Sequence, residues 1–108
     1  MDPVDEDATR LVTILEEMTN LLADHSERNW ADWIAQDIAW IRQGDGYGVL
    51  HFLSAFGGMG SLNDVVFHPL NGNVATTLEA RPINERFQAL KSEAYLLATS
   101  LRHDAQEP

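Results

Sequence analysis

Apolar residues recur along the chain at intervals of three and four. Val4, Ala8, Leu11, Leu15, Met18 and Leu22 step by 4, 3, 4, 3 and 4, which keeps one helical face apolar and predicts a first helix over 3–24. Asp2 can cap it, Pro3 suits the first helical position, and Asp5, Glu6 and Asp7 suit its positive end. A second helix is predicted over 27–43, with Ser26 as cap and Gly44 just past its end. There Trp30, Trp33, Ile34, Ile38, Trp40 and Ile41 cover an arc of roughly 160° at 100° per residue. Asp37 lies near the centre of that arc. A carboxylate on an apolar face must be paired or hydrogen-bonded.

Residues 46–56, GYGVLHFLSAF, show apolar positions almost all round and predict a short, central, buried third helix capped by Asp45, with His51 toward the rim. Next comes FGGMGSLNDVVFHPLNGN over 56–73, which holds four of the seven glycines. Asn71-Gly72 between apolar runs predicts a small hairpin or irregular excursion across 64–78, although Pro69 cannot donate to a ladder. A last helix is predicted over 84–103, capped by Asn84, with Phe87, Leu90, Ala94, Leu97 and Leu101 on one face. The expected fold is all-α: a compact four-helix single domain over 1–108 with a glycine-rich loop. Residues 1–2 and 104–108 are expected to fray.

Composition narrows the function. Seventeen acidic against seven basic residues give a net charge of −10, and residues 1–64 carry −9 of it. A nucleic-acid backbone and an anionic membrane are both repelled by such a chain, whereas a basic protein is attracted. The same acidity also serves solubility. No apolar run has the length of a membrane span, the acidic start is unlike a signal peptide, and cysteine is absent. A cytoplasmic, soluble protein is expected, with no disulfide and no thiolate chemistry.

The loop is the one place where helical propensity gives way. Gly57, Gly58, Met59, Gly60, Ser61, Asn63 and Asp64 form a candidate site, because glycine allows positive φ or close backbone approach and successive amides can cradle an anion. Yet no phosphate-loop or dinucleotide pattern is present, and no lysine or arginine lies between Arg42 and Arg81. The loop amides can instead serve Asp37, which would then pin the loop to the second helix. Asp37 can equally reach solvent or pair with Arg86 or Arg102. Ser61, Asn63 and Asp64 also fit ordinary turn and cap roles. His25, His51, His68 and His103 lack metal-ligand spacing. Ser61, Asp64 and His68 supply the letters of a triad without its elbow. No metal, cofactor or catalytic activity is expected.

The block from Trp30 to Asn73 resembles a family of small bacterial proteins of unknown function. The likeness rests on a W-x-x-W helix, a Y-G-V lead-in, Phe56-Gly57-Gly58-Met59-Gly60-Ser61 and Asn63-Asp64, with a looser match near Ala94-Tyr95. It implies an intracellular, mainly helical single domain with the loop as hallmark. By analogy with small acidic immunity proteins, the chain is expected to bind and occlude a basic toxin or enzyme. Glu16, Glu17, Asp24, Asp32 and Asp64 are the candidate contacts, with Trp40 as aromatic anchor or, alternatively, as core or rim packing. Two other readings are a small-molecule or catalytic domain using the loop, and a homodimer sharing the heptad-like faces of the first and last helices.

Overall fold

The computed structural model of the chain describes residues 3–57 and 60–106. Four helices run in the order α1 (Pro3–Asp24), α2 (Arg28–Arg42), α3 (Tyr47–Leu53) and α4 (Thr77–Gln106), and two short 3-10 turns, Leu62–Asp64 and Pro69–Asn71, interrupt the segment before α4. α1 packs on α2 and α4, and α3 bridges α2 and α4. At about 1.5 Å per residue the 30-residue α4 is about 45 Å long. It therefore sets the 49 Å long axis of the molecule.

The core is built from the faces that the three-and-four spacing marks. Leu11, Leu15, Met18 and Leu22 of α1 are fully buried, as are Ile34 of α2, Phe52 of α3 and Ala94 and Ala98 of α4. Phe87, Leu90 and Leu101 of α4 complete the same cluster. These faces are consumed inside one chain. The seam that a homodimer of α1 and α4 would need is the monomer's own core.

Local details depart from the sequence expectations. α3 is shorter than 46–56 and is not buried all round, since Tyr47 and Leu50 are about half exposed. The cap position of this helix is Gly46 and not Asp45, although Asp45 Oδ1 accepts the Tyr47 N–H at 3.0 Å from just before it. Ser26 does not cap α2. It adopts φ +67 within the connecting turn, and no side chain caps α2. α4 begins seven residues before Asn84, at a cap made by Thr76, whose Oγ1 accepts the Glu79 N–H at 3.1 Å. Pro82 sits inside this helix and withholds one amide from the exposed Leu78 turn. At its other end α4 continues through 104–106, which the sequence left to fray.

No strand occurs among the described residues, so the expected hairpin is absent. Instead Asn71 ends a 3-10 turn closed by Gly72. The extended stretch before it satisfies its backbone with amide side chains. Asn84 Oδ1 accepts the Phe67 N–H and Asn84 Nδ2 donates to the Phe67 carbonyl, at 2.9 and 2.8 Å. Asn73 Oδ1 accepts the His68 N–H and its Nδ2 donates to the Val66 carbonyl. Two asparagines thus do what a partner strand would otherwise do. They seat Phe67, fully buried, edge-on against Phe87.

Candidate functional site

Asp37 is fully buried, as its place on the apolar arc of α2 requires. Its partner is not the glycine loop. Asp37 Oδ1 lies 2.5 Å from His51 Nδ1 on α3, while Oδ2 is sealed without a partner among the described residues. Of the alternative partners, Arg86 pairs with Glu17 instead, and Arg102 lines a groove beside Asp5 and Asp45. Burial pushes the Asp37 carboxyl up from an ordinary 3.8 to about 6, against the lowering effect of the His51 hydrogen bond and charge.

Three aromatic rings enclose His51. Trp33 stacks on the imidazole at 4.0 Å, and Trp40 and Tyr47 approach at 5.2 and 5.8 Å. The α2–α3 contact that makes this possible runs through Gly48. A Cβ there would meet the Asp37 carbonyl oxygen at 2.8 Å and Trp40 Cβ at 2.9 Å. An Asp–His pair can act as a general base when it faces a nucleophile. The nearest hydroxyl in sequence, Ser54, donates to the His51 carbonyl and not to the ring. The pair links α3 to α2. Trp40, the candidate anchor, is half-buried and belongs to this aromatic frame, edge-on to Tyr47 at 4.8 Å.

The glycine loop is organised by its own residues. Asp64 Oδ2 accepts the Gly60 N–H at 2.6 Å, the Asp64 N–H reaches the Ser61 carbonyl, and the Leu62 N–H reaches the Ala55 carbonyl. Gly57 and Gly60 adopt φ +97 and +75, and a Cβ at either would stand in open space. Glycine is required here for backbone conformation and not for clearance. Gly58 and Met59 lie outside the described residues. Ser61 is buried with its hydroxyl unpartnered, and His68 Nδ1 accepts the Leu70 N–H, so the side chains of Ser61, Asp64 and His68 form no hydrogen-bonded triad. Among the described residues no group of His, Asp and Glu is placed to hold a metal ion.

The loop does form one wall of a cleft of about 450 Å³. Gly57 and Asn63 face Gln88, Lys91, Ser92 and Tyr95 of α4, with Phe56 at the end. Sequence reasoning missed Lys91. It is 4% exposed, and its ammonium stands 4.9 Å from the Phe87 ring centroid. The signal was available, because Lys91 follows Phe87 by four residues and Leu90 by one, on the apolar face of α4.

A second, apolar groove of about 410 Å³ lies where α1, the α2–α3 turn and α4 meet. Ala8, Ile41, Val49, Leu50 and Leu101 line it, with Asp5, Asp45 and Arg102 at the rim. It adjoins a shallower depression of about 700 Å³ between α1 and α2 that includes Glu16 and Arg42. Of the candidate contacts, Glu16 thus stands beside the groove, tied to Arg42 at 2.7 Å. Glu17 pairs with Arg86 of α4, and Asp24 and Asp32 are exposed elsewhere on α1 and α2. No helix among the described residues is long and apolar enough to cross a membrane.

A family model described as Domain of unknown function (DUF6966) matches residues 23–76, half of the chain. That segment carries α2, α3, the Asp37–His51 pair and the loop, while α4 and all but the last two residues of α1 lie outside it. Neither the curated proteins nor the solved structures contain a match.

Proposed function

The chain belongs to the family described as Domain of unknown function (DUF6966), and we propose that it is a small acidic binding protein whose target is a basic protein. The observation that supports this reading is the apolar groove with Leu50 about half exposed at its edge. Exposed apolar surface rimmed by polar residues is typical of protein contact sites. Residues 1–64, which supply every groove residue except Leu101 and Arg102, carry a net charge of −9. The occupant that matches both properties is an amphipathic helical segment with an apolar face and basic flanks. Its apolar residues would enter between Ala8, Val49 and Leu101, and its lysines or arginines would meet Asp5 and Asp45. Occlusion of a basic toxin or enzyme, as an immunity-type inhibitor acts, is the form of action we favour.

A fluorescent amphipathic Leu/Lys peptide, with a Leu/Glu peptide as its counterpart, tests the reading by anisotropy. The Leu/Lys peptide should bind, weaken with added salt and lose affinity with Leu50→Asp. That substitution makes the chain more acidic, so general charge attraction alone would strengthen binding. Equal or tighter binding by Leu50→Asp would therefore refute the groove as the contact surface.

A further inference from the structure

We propose that Lys91 is a nucleophilic amine that captures small aldehydes or ketones as a Schiff base in the cleft between α4 and the glycine-bearing loop. This site is separate from the apolar groove and does not depend on it.

Lys91 is the chain's single lysine, against six arginines. The arginines at 10, 42, 81 and 86 form exposed ion pairs with glutamates. Lys91 makes no ion pair or hydrogen bond among the described residues, is 4% exposed, and lines a cleft large enough for a small organic molecule. Recognition of a carboxylate or phosphate is served better by arginine, which stays charged and binds in bidentate fashion. A chain of net charge −10 also repels such ligands. A neutral carbonyl compound meets neither objection.

The surroundings suit the chemistry. Burial holds the Lys91 ammonium below the ordinary lysine value, offset in part by the Asp64 carboxylate, so the neutral amine is more accessible near neutral pH. Asn63 and Gln88 bring side-chain amide donors to the cleft for the carbonyl oxygen. Phe56 and Tyr95, edge-on at 5.1 Å, offer an apolar wall for the substituent. The amine lone pair adds to the carbonyl carbon, the carbonyl π pair moves to oxygen, and one proton passes from nitrogen to that oxygen. The carbinolamine then loses its hydroxyl group and the remaining amine proton as water, leaving the C=N bond. The Asp64 carboxylate favours the protonated iminium over the free imine.

Benzaldehyde with sodium cyanoborohydride at pH 7, read by intact mass and peptide mapping, tests the proposal. The chain offers two primary amines, Lys91 and the α-amino terminus. An ordinary lysine would lag the terminus by several hundred-fold, roughly the ratio of their neutral fractions. Relative to the terminus, Lys91 should instead be labelled faster in the native protein than in the chain unfolded in urea. Ser92→Trp, at an exposed position in the cleft, should lower Lys91 labelling about tenfold by obstructing approach, with terminal labelling unchanged. Lys91→Arg should abolish the internal adduct. Overturning results are Lys91 trailing the terminus like an ordinary lysine, or labelling equally with and without Ser92→Trp. Either would make Lys91 only a buried stem packed on Phe87.

Discussion

Asp37 Oδ1 and His51 Nδ1, 14 residues apart in sequence, lie 2.5 Å from each other and join α2 to α3 inside a frame of Trp33, Trp40 and Tyr47. Only one carboxylate oxygen is satisfied. The pair is therefore both a clasp and a cost, and its balance depends on pH.

Because the folded Asp37 carboxyl titrates at about 6 against an ordinary 3.8, the native state holds its proton more tightly than the unfolded chain. The contribution is fully present below pH 4 and is lost as pH rises through about 6. The group facing Asp37 from α3 is His51. The stability of the wild type minus that of Asp37→Asn should fall between pH 4 and pH 7 by on the order of 3 kcal/mol. Urea unfolding at a series of pH values measures it. A flat or rising difference would show that desolvation does not dominate at Asp37.

Gly48 is where α3 touches α2 most closely. Gly48→Ala places a methyl group against the Asp37 carbonyl oxygen and the Trp40 and Ile41 side chains. Backbone cannot yield as a flexible side chain does, so a loss of about 1–3 kcal/mol is expected. Gly46→Ala meets open space and no unusual φ, and should change stability by less than about 0.5 kcal/mol. Thermal unfolding of the two variants gives the comparison. Equal midpoints would mean that the helices are free to separate at Gly48.

Asn84 replaces a strand partner for Phe67. Asn84→Ala leaves the Phe67 N–H and carbonyl without their partners beside a fully buried ring. The expected cost is about 1–3 kcal/mol, with hydrogen exchange accelerated at the Phe67 amide. Asn84→Asp keeps an acceptor for that amide and should protect it, while the carbonyl loses its donor. Unchanged Phe67 exchange in Asn84→Ala would contradict this role.

Much of the helical frame was legible because burial follows spacing. Leu11, Leu15, Met18 and Leu22 were placed correctly on one face, and Asp37 was identified as a polar group needing a partner. Its partner was not legible, since the Asp37–His51 contact exists only after α3 folds back on α2 at Gly48. Pro82 hid the first two turns of α4, because a proline inside a helix reads locally as a stop. Asn84 then looked like a cap when its side chain was committed to Phe67 across the fold. Asn71-Gly72 gave a hairpin signal, yet the flanking backbone found side-chain amides in place of a strand. At the loop, the sequence shows the glycines but not what faces them. The cleft they border depends on Lys91, Gln88 and Tyr95 of α4, about thirty residues away, and no local pattern encodes that meeting. The apolar groove was missed for the same reason: Ala8, Val49 and Leu101 come from three helices.

The most direct measurement is a nitrogen-15 NMR titration of the protein with the Leu/Lys peptide. Binding at the groove predicts saturable shifts of the Ala8, Val49, Leu50 and Leu101 amides, absent with the Leu/Glu peptide and abolished by Leu50→Asp. Shifts confined to the exposed acids Asp24 and Asp32, or to the cleft around Lys91, would contradict the groove as the site where a basic partner docks.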